Sequence, residues 1–407
     1  MPRIKVFSAV WCPYCKRLKK FLGEQRLPYE NVDIDEDADG RKKLEELQNG
    51  GRTIPTVLFE DGSFSINPSP QELMDKLGMT TRAGGDFYDT IVVGGGPAGL
   101  TAAIYLARED ISTLVIDRGA LGGQAAITEN LDNVPGFPEG IGGSSLADRL
   151  AKQASRFGAE TLVAQEVTAV AFRDGFKLIT TASGDSYCAN ALVLTPGSTY
   201  RRLNIPGEDS FIGAGIHFCA TCDGPYYVGK EILVIGGGNS GVQEGIFLTK
   251  FGSKVTIVDH LDKLRASPVL TDRAYADPKI EVLTNTTVDA FEGDDRLRTV
   301  VLRDVKTGET RRVHPAGAFI FIGLDPNTAF LKGFVDLDDW GYIKSEPDLA
   351  TNVPGVYAAG DARLGSTKQV ASATGEGATA ALMVRHYLER TKQATGIDPA
   401  KAITAVG

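Results

Sequence analysis

An α/β protein, made of a small N-terminal unit followed by two dinucleotide-binding units, is what this sequence predicts. Three observations carry the prediction. The first 78 residues or so read βαβαββα. A strand, glycine turn, helix, strand pattern then occurs twice, the second copy displaced by 142 residues. Two Cys-x-x-Cys pairs, Cys12/Cys15 and Cys219/Cys222, stand more than 200 residues apart.

Composition narrows the function. A chain of 407 residues has room for two to four domains. Its formal charge of −9 argues against nucleic acid or an anionic membrane surface as the main partner. No segment approaches the ~18 apolar residues of a membrane span. The start, "MPRIKVFSAVWCPYC", has no signal-peptide cleavage pattern, so a cytoplasmic location is expected. Two Cys-x-x-Cys pairs plus Cys188 do not make a secreted disulfide framework. Cys188, which precedes an apolar strand, is expected to be an inert buried thiol.

Along the first unit, residues 4–10 read as a strand and "PYCKRLKKFLGEQ" as the helix after it. "YENVDID" is a second strand and "RKKLEELQNG" a second helix; "TIPTVLFEDGSF" is a strand entering a hairpin, and "SPQELMDKL" closes the unit at residue 79. "TTRAGGD" (80–86) lacks apolar periodicity and reads as a linker reaching about 13–16 Å.

The repeated pattern begins at residue 87. "YDTIVVGGGPAGLTAAIYLAREDISTLVID" and "KEILVIGGGNSGVQEGIFLTKFGSKVTIVD" carry Gly94, Gly96 and Gly99, then Gly236, Gly238 and Gly241. Each third glycine is followed 18 residues later by an acid, Asp117 or Asp259. The glycines permit a tight turn and close approach to a pyrophosphate, which the helix N-terminus attracts. The acid accepts hydrogen bonds from a ribose diol. Two copies in full strand–helix context predict two dinucleotide sites, one for FAD and one for a nicotinamide.

Several further stretches, "CATCDGP", "GGQ" (122–124), "NVPGFP" (133–138) and "YAAGDAR" (357–363), resemble the low-molecular-weight thioredoxin reductases, and equally the flavoprotein subunit of alkyl hydroperoxide reductase. The resemblance covers residues 88–390 and implies that the second Rossmann-like domain is inserted in the first. The FAD domain would then take residues 87–205 and 325–392, the NAD(P) domain 206–324, with 393–407 as a tail. It places Gly123, Gln124, Asn133, Gly360, Asp361, Gln369 and Val370 against the flavin. It makes Cys222 the flavin-facing thiol, Cys219 the attacking thiol and Asp223 the acid that protonates the leaving thiolate. "TPG" (195–197) departs from the family's usual ATG. The family turns its inserted domain between two orientations, and hinges are expected near 204–207 and 323–327.

The nicotinamide remains open between two forms. Where the reductases carry a His-Arg-Arg run that clamps a 2′-phosphate, this chain has Asp259, His260 and Leu261. An aspartate favours a free ribose diol, so NADH is expected over NADPH, with Arg265 as partial compensation. "GGGNSG", with Asn239 and Ser240 opening the helix, is similar to the NADH-using hydroperoxide reductase flavoprotein.

"WCPYC" followed about forty residues on by "TIPTV" resembles the glutaredoxin group of the thioredoxin fold, more the mycoredoxins than the glutathione-dependent members. The resemblance makes Pro55 a cis-proline and the backbone of Ile54 a place for substrate pairing. A helix N-terminus favours Cys12 as nucleophile and Cys15 as resolving thiol. No metal is expected: His217, Cys219 and Cys222 with Cys12 and Cys15 would have to build one zinc site from separate domains.

The two cysteine pairs are therefore expected to be successive stations from NAD(P)H and FAD to an external disulfide, of a protein or a low-molecular-weight thiol. The relay would run within one subunit or across a homodimer. The alternatives are an NADH-dependent reductase feeding a peroxiredoxin, a ferredoxin-driven flavin reductase and a non-catalytic redox sensor.

Overall fold

The computed structural model describes residues 4–128, 131, 133–173 and 175–395, apart from the side chains of Gln71, Thr221, Cys222, Ala394 and Thr395. The expected tail therefore lies largely outside the described residues. No helix among those described is long and apolar enough to cross a membrane.

The first unit has the expected order: β1 (Ile4–Ser8), α1 (Pro13–Glu24), β2 (Glu30–Asp33), α2 (Ala38–Leu47), β3 (Thr56–Phe59), β4 (Phe64–Ile66) and α3 (Pro70–Lys76). Its sheet runs β2-β1-β3-β4, with β2 parallel to β1 and β3 antiparallel to it. Helix α1 begins where Pro13 stands at its first position, since proline lacks the N–H that a first turn would leave orphaned. Its Leu18 and Leu22 pack on Ile4, Val6, Val57 and Leu73. Helix α2 starts three residues before the expected "RKKLEELQNG", because Asp37 caps it by accepting from the Gly40 N–H at 2.8 Å.

The linker is not a free tether. Thr81 Oγ1 donates to Asp75, the Ala83 N–H to the Tyr187 hydroxyl, and the Gly84 N–H to Glu160 at 2.7 Å. The expectation of a flexible connection came from its lack of apolar periodicity. What holds it instead is one local side-chain bond, from Thr81, and two backbone donors meeting side chains far away in sequence.

The second unit comprises β5 (Phe87–Val93), α4 (Pro97–Ala107), β6 (Thr113–Ile116), α5 (Gly143–Arg156), β7 (Glu160–Leu162), β8 (Val167–Arg173), β9 (Phe176–Thr181), β10 (Ser186–Leu194) and β11 (Ser198–Tyr200). Its sheet runs β7-β6-β5-β10-β9-β8. Strands β5, β6 and β10 are almost wholly apolar because helices or loops cover both faces.

The chain then leaves this sheet for another. It forms α6 (Glu208–Phe211), β12 (Ile216–His217), α7 (Ala220–Asp223), β13 (Glu231–Ile235), α8 (Asn239–Leu248), β14 (Lys254–Val258), α9 (Pro268–Ala276) and β15 (Ile280–Leu283). A ribbon of β16 (Thr286–Gly293), β17 (Leu297–Asp304) and β18 (Thr310–Val313) follows, then β19 (Gly317–Ile320) and β20 (Leu324–Pro326). The inserted sheet is parallel, in the order β12-β19-β13-β14-β15. The return strand β20 pairs antiparallel with the departing β11. After it, β21 (Val356–Ala358) rejoins the second unit beside β10, and α10 (Val370–Thr395) closes it. Gly377 lets α10 lie against α4, since a Cβ there would meet the Ala98 carbonyl. Cys188 lies in β10 only half-buried, not fully buried as expected, because it stands near the strand's outer end.

Candidate active site

The two glycine turns have the same construction. Gly94 and Gly236 have φ of 108° and 123°, and a Cβ on either would strike a carbonyl, of Thr195 or Phe321. Gly99 and Gly241 press against the carbonyls of Gly94 and Gly236, bringing helix to strand. Gly96 and Gly238 differ from these: no protein atom lies within 4 Å of where their Cβ would stand. These middle positions leave space at a helix N-terminus, which suits a pyrophosphate. The residues present thus fit two dinucleotides.

Asp117 and Asp259 also behave alike. Asp117 accepts from the N–H groups of Gly95 at 2.6 Å and Gly119 at 2.7 Å. Asp259 accepts from Gly237 at 2.6 Å and Leu261 at 2.9 Å. Each carboxylate therefore pins its glycine turn. Burial raises the Asp117 pKa against the pull of those N–H donors.

One cavity of about 950 Å³ runs from the first glycine turn to Cys219. Gly96, Asp117, Gly123, Gln124 and Asp361 line one stretch of it, and Cys219 and Asp223 another. Asn133 Nδ2 donates to Gln369 Oε1 at 2.9 Å, joining two positions 236 residues apart that both line the cavity, and Val370 begins α10 beside them. The Gly360 N–H is already used, donating to Glu376 Oε2 at 2.7 Å, and Asp361 lines the cavity beside it. Burial, helped by Glu376, raises the Asp361 pKa, while Lys368 opposes it.

Cys219 precedes α7 and is disulfide-bonded. The side chain of Cys222 lies outside the described residues. Asp223 is buried, and its Oδ2 is 3.4 Å from His217 Nδ1. His217 Nε2 lies 2.6 Å from the Tyr227 hydroxyl. One proton arrangement satisfies all three: Tyr227 donates to Nε2, and Nδ1–H faces the Asp223 carboxylate. Beside them Tyr200 stacks on Phe218, with ring centroids 4.7 Å apart. Burial first, then the Asp361, Asp223 and Glu244 carboxylates, push the Tyr200 hydroxyl up to about 12. Among the described residues no cluster of His, Cys, Asp or Glu could hold a metal ion.

In the first unit, Cys12 is the N-cap of α1 and is bonded to Cys15, with 5.3 Å between their Cα atoms. Cys12 Sγ accepts from the Cys15 N–H at 3.1 Å, the interaction that stabilises a thiolate once the bond is opened. Both cysteines are buried, under a rim of exposed Val10, Trp11 and Tyr14. The Ile54–Pro55 bond is cis, and the Pro55 carbonyl accepts from the Asn67 N–H.

At the second glycine turn, Asn239 Oδ1 accepts from the Ser267 N–H, while Ser240 is exposed at the start of α8. Arg265 Nη2 lies 3.8 Å from Asp259 and its side chain is 56% exposed. His260 lies 3.6 Å from the same carboxylate.

Four contributors escape a reading of motifs. Thr195 Oγ1 donates to the Gly94 carbonyl at 2.8 Å, so the threonine of "TPG" braces the first glycine turn. Glu376 reaches Gly360 from 16 residues away. His217 and Tyr200 meet Asp223 through tertiary packing. Only the departure at "TPG" and the histidine before the cysteine pair left any trace in the sequence.

Residues 88–377 match the pyridine nucleotide-disulphide oxidoreductase family, and residues 4–64 match glutaredoxin. The chain is 42% identical over 321 residues to the thioredoxin reductase of Streptomyces clavuligerus, covering 78% of this chain and 99% of that protein. It is 41% identical over 307 residues to the thioredoxin reductase of Bacillus subtilis (strain 168), covering 75% and 96%. The solved thioredoxin reductase from Streptococcus pyogenes MGAS5005 aligns with a TM-score of 0.72 at 37% identity, over 75% of this chain and 99% of that one. That of Lactococcus lactis, in what its description terms the FR conformation, gives 0.52 at 38% identity, over 74% and 98%. With paired glycine turns, an inserted nucleotide unit and Cys219 on the cavity that reaches the first glycine turn, this chain belongs to the pyridine nucleotide-disulphide oxidoreductase family, as a flavoprotein disulfide reductase of the thioredoxin reductase type that also carries a glutaredoxin domain.

Proposed function

We propose that reducing equivalents pass from NADH, by way of FAD, to Cys219–Cys222, then to Cys12–Cys15, and leave to an external disulfide. The observation that carries this reading is the shared cavity, which has flavin-side residues along one stretch and Cys219 and Asp223 along another. FAD, held by the first glycine turn, Gln124, Asn133 and Asp361, would supply the conversion of a nicotinamide hydride into an electron pair for a disulfide.

The later steps belong to the chain's own sulfurs. The Cys219 thiolate attacks Cys12; a Cys219–Cys12 bond forms as Cys12–Cys15 breaks. The Cys222 thiolate then displaces Cys12, restoring Cys219–Cys222 and leaving a dithiol on the redoxin. Two electrons and two protons move with each transfer. Asp223 carries a proton for the departing thiolate, and His217 and Tyr227 hold its carboxylate in place. The apolar rim of Val10, Trp11 and Tyr14 over the redoxin disulfide suits a protein disulfide as the terminal acceptor. The setting proposed is a cytoplasmic homodimer.

The buried carboxylate of Asp259 beside the second ribose position favours NADH. Comparing kcat/KM for NADH and NADPH checks this; a preference for NADPH above tenfold overturns it. Nicotinamide and the Cys219–Cys222 pair need the same flavin face, so the inserted unit turns about the connections that β11 and β20 make to it. The two solved relatives support such a motion: at nearly equal identity and coverage they align with TM-scores of 0.72 and 0.52.

The test of the relay is NADH oxidation with a panel of protein and small-thiol disulfides, run with Cys12→Ser and Cys219→Ser. Both variants should lose turnover. In the Cys222→Ser, Cys15→Ser double variant a Cys219–Cys12 bond should be trapped. Absence of that bond, both within a chain and between chains, rejects the relay.

A further inference from the structure

The redoxin does not merely sit at the front of the reductase. The residues at the C-terminal end of α1 grip the loop that follows Asp117. The Ala120 N–H donates to the Glu24 carbonyl at 3.1 Å. Gln25, itself 4% exposed, donates through Nε2 to the Arg118 carbonyl at 3.1 Å. Arg26 donates to the Leu121 carbonyl at 2.6 Å and reaches Asp148 of α5 at 3.3 Å. All the gripped carbonyls and N–H groups lie within four residues of the acid that faces the ribose.

The same end of the redoxin lines the cavity. Lys20, Phe21 and Glu24 of α1 and Pro70 of α3 stand on it beside Asp117 and Arg118. Phe21 is only partly buried within its own unit and contributes to the cavity lining. An aromatic face, a cation and a proline make a wall that suits a purine base. The solved Streptococcus pyogenes relative is matched over 99% of its length by 75% of this chain, and the family match begins at residue 88. That wall is therefore supplied by a domain outside the family match.

We infer that the redoxin domain completes the adenosine end of the FAD pocket, so that FAD binding and redoxin docking strengthen one another. The inference rests on the assignment of the first glycine turn to FAD. It has a necessary corollary, because coupling between two binding events is reciprocal. FAD must hold the redoxin in its docked place, and a redoxin that leaves must loosen FAD. Cys12 stands at the opposite end of α1, about 18 Å from the grip at 1.5 Å per residue. The docked arrangement is thus one that retains the flavin with the redoxin disulfide turned away from the grip.

The test uses the full chain stripped of FAD and titrated with it, following the quenching of flavin fluorescence. Arg26→Glu breaks the grip without touching the cavity, and Phe21→Ala removes the aromatic wall. Each should weaken FAD binding about tenfold. Protease cleavage within residues 79–86 should slow when FAD is added to the wild-type chain, and much less in Arg26→Glu. Native circular dichroism and dithiothreitol-reducible Cys12–Cys15 establish that each variant is folded. FAD affinity within twofold of wild type in both folded variants, or linker cleavage indifferent to FAD, overturns the inference. These readouts need no turnover, so a failed relay leaves them unaffected.

Discussion

Asp223 has one neighbour that fixes what it can do with a proton. His217 holds its carboxylate at 3.4 Å and is itself anchored by Tyr227. Asp223→Asn should slow thiol–disulfide exchange from Cys219 by about 10²-fold, as loss of a general acid does. His217 is a positioning residue, so His217→Asn should leave nicotinamide KM unchanged and shift the pH profile of the exchange step; stopped-flow reduction of the redoxin across pH checks both. Tyr200 gives a second handle. Its pKa of about 12 in the folded protein exceeds the ordinary tyrosine value of 10. The unfolded chain therefore ionises it first, and its contribution to stability is full below pH 10 and lost as pH rises toward 12. Tyr200→Phe should remove one late step from the ultraviolet tyrosinate titration and flatten the alkaline loss of stability. At this scale the sequence exposed residues whose chemistry repeats, such as Asp117 and Asp259. It hid Tyr200 and Glu376, which matter through what folding sets beside them.

Among the elements, the two glycine turns separate fold from binding. Gly94→Ala forces a Cβ into the Thr195 carbonyl at a φ of 108°, and should cost about 2–4 kcal/mol in chemical denaturation. Gly96→Ala and Gly238→Ala have room and ordinary backbone angles, so both should fold normally. Gly96→Ala should lose flavin absorbance. Gly238→Ala should keep the flavin yet raise the nicotinamide KM about tenfold or more. If Gly238→Ala leaves KM unchanged, the second turn is not the nicotinamide site. Strands, helices and both turns were legible because apolar periodicity and glycine spacing are local. The start of α2 was missed because a single capping aspartate moved it. The pinned linker was missed because its partners, Tyr187 and Glu160, are remote in sequence.

For the molecule as a whole, the departure and return of the chain between its two nucleotide-binding units lie side by side. Strands β11 and β20 pair from Ser198 with Pro326 to Tyr200 with Leu324, and Arg201 clasps Asp325 just beyond. Under the proposed motion this narrow ribbon would serve as the axle of the inserted unit. The reducing and the oxidising half-turnovers then exclude each other in time, because the inserted unit faces one way or the other. Initial rates at varied NADH and several fixed disulfide concentrations should give parallel double-reciprocal lines, the mark of a ping-pong enzyme. Intersecting lines would mean that both half-turnovers share a single pose, and the axle would have no kinetic role.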